Sequence, residues 1–253
     1  MAGEAAVLRT EALKKSFGSL EVARDITLAL PRGARHALIG PNGAGKTTLI
    51  NLITGQMKPD SGRILLDGAD ITAAPVAARV RRGLTRTFQI NTLFPDLTPI
   101  EAVMLAVCER EGTAGQFWRG VAAQKQAIEE AETILAQLGL ADVATRPTRT
   151  LAYGQQRLLE IALALATRPK VLLLDEPAAG VPKEESAMLF SVIAALPEDI
   201  SVLFIEHDMN IVFSFAMRII VLVSGGVLLE ADPETVRTDP RVREVYLGRA
   251  GHG

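Results

Sequence analysis

The chain carries a single cysteine among its 253 residues, Cys108, so it can form no disulfide within itself. One thiol in an apolar stretch fits a reducing compartment, and it reads as a small buried hydrophobe rather than a nucleophile. Excess positive charge is missing too: a net charge of −2 leaves no basic footprint for nucleic acid. No apolar run is long enough to cross a membrane. The longest, residues 211–223, is interrupted by Arg218, whereas a span needs about 20 residues. Residues 1–8 lack a basic region followed by an apolar one, so no signal peptide is expected. Internal repeats and low-complexity tracts are absent as well. What remains is an ordinary globular composition, 48% apolar and 22% charged, at a length suited to one or two domains. Arginine does gather at Arg79, Arg81, Arg82 and Arg86, a cluster that reads as a solvated face.

Against these absences stands the run Gly40, Pro41, Asn42, Gly43, Ala44, Gly45, Lys46, Thr47, which has the pattern G-x-x-x-x-G-K-[ST]. Its glycines let backbone N–H groups converge on an anion without interference from Cβ atoms. Lys46 can reach the β- and γ-phosphates, and the Thr47 hydroxyl can ligate Mg²⁺. The flanks suit the pattern. Residues 36–39 read as a short buried strand. Lys46 to Thr54 reads as a helix with Leu49, Ile50, Leu52 and Ile53 apolar, and Gly55 stands at its C-terminal stop. Phosphates would therefore lie at a helix N-terminus, where free N–H groups and the helix dipole favour negative charge.

The rest of the chain alternates strands and helices. Strands are expected at residues 7–13, 26–30, 64–66 and 84–88, then 171–174, 201–205 and 219–223. The later ones are continuous apolar runs, as suits strands buried on both faces of a mostly parallel sheet. Between residues 99 and 140 the character becomes helical, with Ile128, Ile134, Leu135 and Leu138 at helical spacing. Residues 112–120 read as a loop in that insertion, with Trp118 partly buried. A further helix follows Gly154 and ends before Pro169.

The strand 171–174 runs into Asp175 and Glu176. Ligands of open α/β sheets bind beyond the carboxyl ends of the strands, so both acids are expected to face the phosphate loop's ligand. Asp175 would hold Mg²⁺ together with Thr47, and Glu176 would orient or deprotonate the attacking water. Gln89 closes the strand expected at 84–88, where its amide could reach Mg²⁺ or that water. His207 follows the strand 201–205, where its imidazole could touch the γ-phosphate. Taken alone, Gln89 reads as a surface amide and His207 as a satisfied loop histidine.

In this order the segments resemble one family, the ATP-binding subunits of ABC transporters, over nearly the whole chain. Walker A is 40–47 and the Q-loop glutamine is Gln89 in Arg86-Thr87-Phe88-Gln89. The signature is Leu151-Ala152-Tyr153-Gly154-Gln155, Walker B is 171–175 followed by Glu176, and the switch histidine is His207. Within the family the chain looks most like the ATPases of branched-chain amino acid importers. That flavour is carried by Arg86-Thr87-Phe88-Gln89, by Gln156-Arg157 after the signature, by Ala178-Ala179-Gly180 and by Val245-Tyr246-Leu247-Gly248.

The resemblance implies an α/β fold: a P-loop NTPase (RecA-like) core with a β-rich N-terminal subdomain and an inserted α-helical subdomain. The chain would be one domain, with its core at about 1–90 and 168–253 and the helical part at about 91–167. It implies ATP and Mg²⁺ as ligands. ATP would be held by Phe17 against adenine, by Asn42, Gly43, Ala44, Gly45, Lys46, Thr47 and Thr48, and by Ala152, Tyr153, Gly154 and Gln155 across a dimer. The metal would be held by Thr47, Gln89 and Asp175, with Glu176, His207 and Gln89 catalytic. The implied partners are permease subunits, a second ATPase subunit and, indirectly, an extracytoplasmic solute-binding protein. The implied place is the cytoplasmic face of a membrane, without nucleic acid.

Two departures stand out. The general signature is Leu-Ser-Gly-Gly-Gln, but here Ala152 replaces the serine whose hydroxyl contacts the partner's γ-phosphate, and Tyr153 replaces the first glycine. Pro182 stands where the family often has an aspartate, and proline has neither carboxylate nor N–H. An exporter ATPase for lipid or lipopolysaccharide shares every motif and stays a rival reading, as does a soluble ATPase without a transport role. The solute is not written in these residues: branched-chain amino acids, aromatic acids, amides and urea are all compatible with them.

Overall fold

The computed structural model describes residues 6–87, 93–113 and 121–247. Its centre is a six-stranded sheet of β3 (Arg35–Ile39), β6 (Leu84–Arg86), β7 (Val171–Asp175), β8 (Ser201–Ile205), β9 (Arg218–Val223) and β10 (Gly226–Ala231). The order is β10-β9-β3-β8-β7-β6, and only the edge strand β10 is antiparallel to its neighbour. In the central strands the two-residue period divides apolar side chains between two cores. Ala37, Ile39, Leu172, Leu174, Val202, Phe204, Ile219 and Val221 face one core. Leu38, Val171, Leu173, Leu203, Ile205, Ile220 and Leu222 face the other.

The second core is closed by helix α1 (Lys46–Thr54) and an antiparallel sheet. That sheet has the order β2-β1-β4-β5, from β1 (Ala6–Phe17), β2 (Leu20–Pro31), β4 (Ser61–Leu66) and β5 (Ala69–Asp70). The first core is covered by helices. These include α3 (Pro99–Arg110), α4 (Val121–Gln137) and α5 (Tyr153–Leu165), with α6 (Lys183–Ala194) and α7 (Met209–Phe215) beside them. The α/β core, the β-rich N-terminal part and the helical stretch before β7 are thus all present. Cys108 is partly buried against this core. Trp118 and most of the loop expected at 112–120 lie outside the described residues.

Helix α1 begins and ends where the motif requires. Gly45 is its N-cap at φ 100 and Gly55 its C-cap at φ 80, left-handed values that cost glycine little. Strand β6 stops at Arg86, two residues short of expectation, although the Thr87 N–H still bonds Leu173 O. Strand β1 runs well past residue 13. Its inward–outward alternation is interrupted by register shifts against β2, where Ala12 takes φ 49, so the periodic signal in the sequence breaks early.

The arginine cluster is not one solvated face. Arg81 and Arg82 are exposed, but Arg79, on α2 (Val76–Arg81), is 1% exposed and Arg86 is half-buried. The Arg79 guanidinium donates to Leu52 O (2.8 Å) and Ile53 O (2.6 Å) at the end of α1, and to Thr72 O (2.8 Å) and Ala74 O (2.9 Å). Four carbonyls, two of them at a helix C-terminus, thereby solvate a cation that water cannot reach.

His36 presents a second buried polar group. It lies in β3 between the two sheets, and its Nδ1 has no hydrogen-bond partner. Burial, with Arg218 opposite it on β9, depresses its pKa from 6.5 to about 4. The folded state therefore keeps the ring neutral while the unfolded chain protonates below about 6.5. The associated stability is fully present above pH 6.5 and is lost as pH falls toward 4, about 3 kcal/mol over the window. Denaturant midpoints of the wild type should fall across that range, and those of His36→Leu should fall less, by about one proton's worth of slope. Parallel profiles for the two proteins would count against the assignment.

Candidate functional site

The loop between β3 and α1 rests on protein rather than on solvent. A Cβ at Gly45 would stand 2.5 Å from Val22 O, and one at Gly40 would run into Leu222 O. Both glycines are thus required on the side away from any ligand, whereas the sequence suggested only the side toward it. Gly43 has no such neighbour. The β9–β10 turn braces the loop: Gly225 N–H donates to Ala44 O (2.9 Å) and Arg24 N–H to Gly225 O (2.7 Å). From helix α8 (Pro240–Leu247) the Tyr246 phenol meets the backbone of Gly40; burial pushes its pKa up to about 12 against that backbone's pull. Asn42, Gly43 and Thr47 are exposed and Thr48 is half-buried at the N-terminus of α1. Phe17 is exposed at the end of β1, with the Lys15 ammonium 5.8 Å from its ring centroid.

Lys46 is buried and donates to Gly40 O (2.7 Å) and Pro41 O (3.2 Å). Burial lowers its pKa, while Glu176 and Asp175 pull it back up. Phosphate loop and acidic pair therefore share one electrostatic environment, although about 130 residues of chain separate them. The carboxyl ends of β3, β7 and β8 meet there because the three strands are parallel neighbours.

Asp175 ends β7 and is buried. Its Oδ2 accepts from Arg86 Nη2 at 2.5 Å, and Arg86 Nη1 also donates to Asn51 Oδ1 on α1 at 2.7 Å. Arg86, read from sequence as part of a surface cluster, is thus the charge partner of the acid expected to hold metal. A hydroxyl at Thr47 and a carboxylate at Asp175 are hard oxygen donors. They fit Mg²⁺, which favours one or two carboxylates plus substrate phosphates over a closed protein cage. Among the described residues no group of three or more His, Cys, Asp or Glu forms such a cage. Gln89, expected as a third ligand, lies outside the described residues.

Glu176 has φ 50, a left-handed conformation that costs a non-glycine residue roughly 1–2 kcal/mol. Its N–H donates to Ile205 O (3.0 Å), and its Oε1 lies 2.7 Å from His207 Nε2. The structure thus brings Lys46, Asp175, Glu176 and His207 together. Glu206, which the sequence did not single out, is buried and accepts from Ala178 N–H (2.9 Å) and His207 N–H (3.2 Å). A charged residue between a strand and a loop carries no sequence signal of burial.

The segment Ala152, Tyr153, Gly154 and Gln155 opens α5 and packs on the loop after Glu176. A Cβ at Gly180 would meet the Tyr153 ring at 3.2 Å, and one at Gly154 would meet Glu185 Oε2 at 2.5 Å. Arg157 ties the two together. It donates to Tyr153 Oη (2.9 Å) and Ala179 O (3.3 Å) while paired with Glu160 (2.9 Å). Ala152, at the N-cap, brings no side-chain acceptor; Gln155 Oε1 accepts its N–H at 3.1 Å instead. Pro182 is the N-cap of α6.

Residues 23–179 match the ABC transporter family, and residues 227–252 match the branched-chain amino acid ATP-binding cassette transporter family. The chain is 39% identical to the high-affinity branched-chain amino acid transport ATP-binding protein BraF of Pseudomonas aeruginosa, over 96% of this chain and 98% of that protein. It is likewise 39% identical to the corresponding protein LivG of Escherichia coli, with the same coverages. Among solved structures, the ADP conformation of an ATP-binding cassette of an ABC transporter superposes with a TM-score of 0.84. That protein is 32% identical, and the superposition covers 96% of this chain and 99% of the other. A nucleotide-free cassette from an ABC transporter gives a TM-score of 0.82 at 31% identity, covering 95% of this chain and 98% of the other.

Proposed function

The chain belongs to the ABC transporter ATP-binding family, and from that membership we propose that it hydrolyses ATP to drive import of branched-chain amino acids through permease subunits. The supporting observation is the convergence of Lys46, Asp175, Glu176 and His207 at the carboxyl ends of adjacent parallel strands. In this reading Lys46 and the loop N–H groups hold the β- and γ-phosphates, with Thr48 beside them and Phe17 against adenine. Thr47, Asp175 and Gln89 would hold Mg²⁺, which when bound neutralises charge on the phosphate oxygens. Glu176 orients and deprotonates the attacking water, and His207 keeps Glu176 aimed while sensing the γ-phosphate. Catalysis is then positioning and charge stabilisation.

A second ATPase subunit would present its signature segment to this loop, and this chain's residues 152–155 would serve the partner's ATP. Ala152 lacks a hydroxyl and Pro182 a carboxylate, which favours an asymmetric pair with a related ATPase that has both. The helices between residues 91 and 167 would take the permease, docking the chain at the cytoplasmic face of the membrane.

The test joins binding with assembly. Titration with a fluorescent ATP analogue should show Lys46→Ala weaker by roughly 10- to 100-fold, as follows from losing one hydrogen bond to a charged group. Unchanged affinity would remove the phosphate loop from the reading. The tagged chain should co-purify with permease subunits, a second ATPase and a solute-binding protein; a lipid-exporting assembly would overturn the import assignment. Full turnover by this chain alone would overturn the asymmetric pair.

A further inference from the structure

We propose that Glu206 is a positioning residue whose buried carboxylate takes the Ala178 N–H and so fixes the turn that aims Glu176 at its water. The proposal rests on the role given to Glu176 above. Residues 176–179 form a turn closed by Ala179 N–H donating to Glu176 O at 3.0 Å. Its central residues are Pro177 and Ala178. Proline has no N–H and presets the first central φ. The Ala178 N–H points away from the closing bond and needs a partner outside the turn. Glu206 Oε1 supplies it at 2.9 Å.

The turn starts from a strained residue, Glu176 at φ 50. Such a conformation persists only where its surroundings over-determine it. Here three contacts from the end of β8 do so. Ile205 O takes the Glu176 N–H (3.0 Å), Glu206 takes the Ala178 N–H, and His207 Nε2 meets the Glu176 carboxylate (2.7 Å). The middle contact is the one made by a buried carboxylate. Acids are rarely buried without compensation, and this one is pushed toward protonation by burial, partly offset by N–H donation from Ala178 and His207. A side chain held there against that penalty, bonded to the turn that bears Glu176, has a task in placing the turn.

The test uses the full chain with Glu206→Leu, which keeps bulk but loses the acceptor, and Glu206→Gln, which keeps an acceptor oxygen. Glu206→Leu should lower kcat by ~10- to 100-fold, the scale of a small misplacement of a catalytic group, with KM for ATP and affinity for an ATP analogue within about 2-fold of wild type. Glu206→Gln should restore kcat to within about 3-fold. In a Glu176→Gln background, adding Glu206→Leu should cost nothing further in single turnover, because the two act through one group. Thermal melts accompany each variant, and Glu206→Met replaces Glu206→Leu if the latter does not fold. Wild-type kcat in Glu206→Leu, equal losses in Glu206→Leu and Glu206→Gln, or additive losses in the double variant would each overturn the proposal. Normal turnover in Glu176→Gln alone would instead strike the reading of Glu176, which keeps the two failures apart.

Discussion

Glu176→Gln is expected to bind ATP as tightly as the wild type and to lose turnover by roughly 10²- to 10⁴-fold, the usual worth of a positioned base. The substitution is nearly isosteric. It leaves the backbone at φ 50 untouched, and an amide can still meet His207 Nε2 across the 2.7 Å now spanned by the carboxylate. Only the charge and the proton affinity change. Lys46 keeps Asp175 as a counter-charge, so the phosphate grip survives. Nucleotide titration beside steady-state phosphate release separates the two effects. Turnover close to wild type would remove Glu176 from the chemistry and leave it a structural acid.

Arg79→Met should be the most damaging change away from the site, destabilising the fold by about 2–4 kcal/mol, the cost of leaving several buried carbonyls without their donor. Four carbonyls would lose the guanidinium; Leu52 O keeps the Gly55 N–H, while Ile53 O, Thr72 O and Ala74 O lose the N–H groups it donates. Two of the four end α1, whose other end is the phosphate loop, so local loosening should also weaken nucleotide binding. Arg79→Lys should recover only part of the loss, because an ammonium cannot reproduce a planar fork reaching four acceptors. Denaturant unfolding of the three proteins measures this directly. A loss below about 1 kcal/mol in Arg79→Met would show that the carbonyls find other donors.

What could be read from sequence was local. The bounds of α1 and the runs that became β3, β7, β8 and β9 were legible because buried parallel strands are continuously apolar and the phosphate loop fixes what flanks it. Strand β10 was not, since its residues are nearly all half-buried and show no two-residue period. Arg79, Arg86 and Glu206 escaped for another reason. Sequence gives their charge, but their partners lie 26, 89 and 28 positions away, at Ile53, Asp175 and Ala178. Only the docking of α2 on α1, and of β6 and β8 on β7, turns surface-type residues into internal braces. That Asp175, Glu176 and His207 stand at strand ends was legible; their mutual distances were not.

The tip of a β-hairpin is ordinarily where an affinity tag or a reporter would be grafted. Here the tip at Ser224 and Gly225 is closed to such engineering, because Gly225 is hydrogen-bonded to Ala44 on one side and to Arg24 on the other. An insertion there would lift the floor from under the nucleotide pocket while leaving every recognisable motif intact, and the product would pass for a well-folded protein with an unexplained loss of affinity.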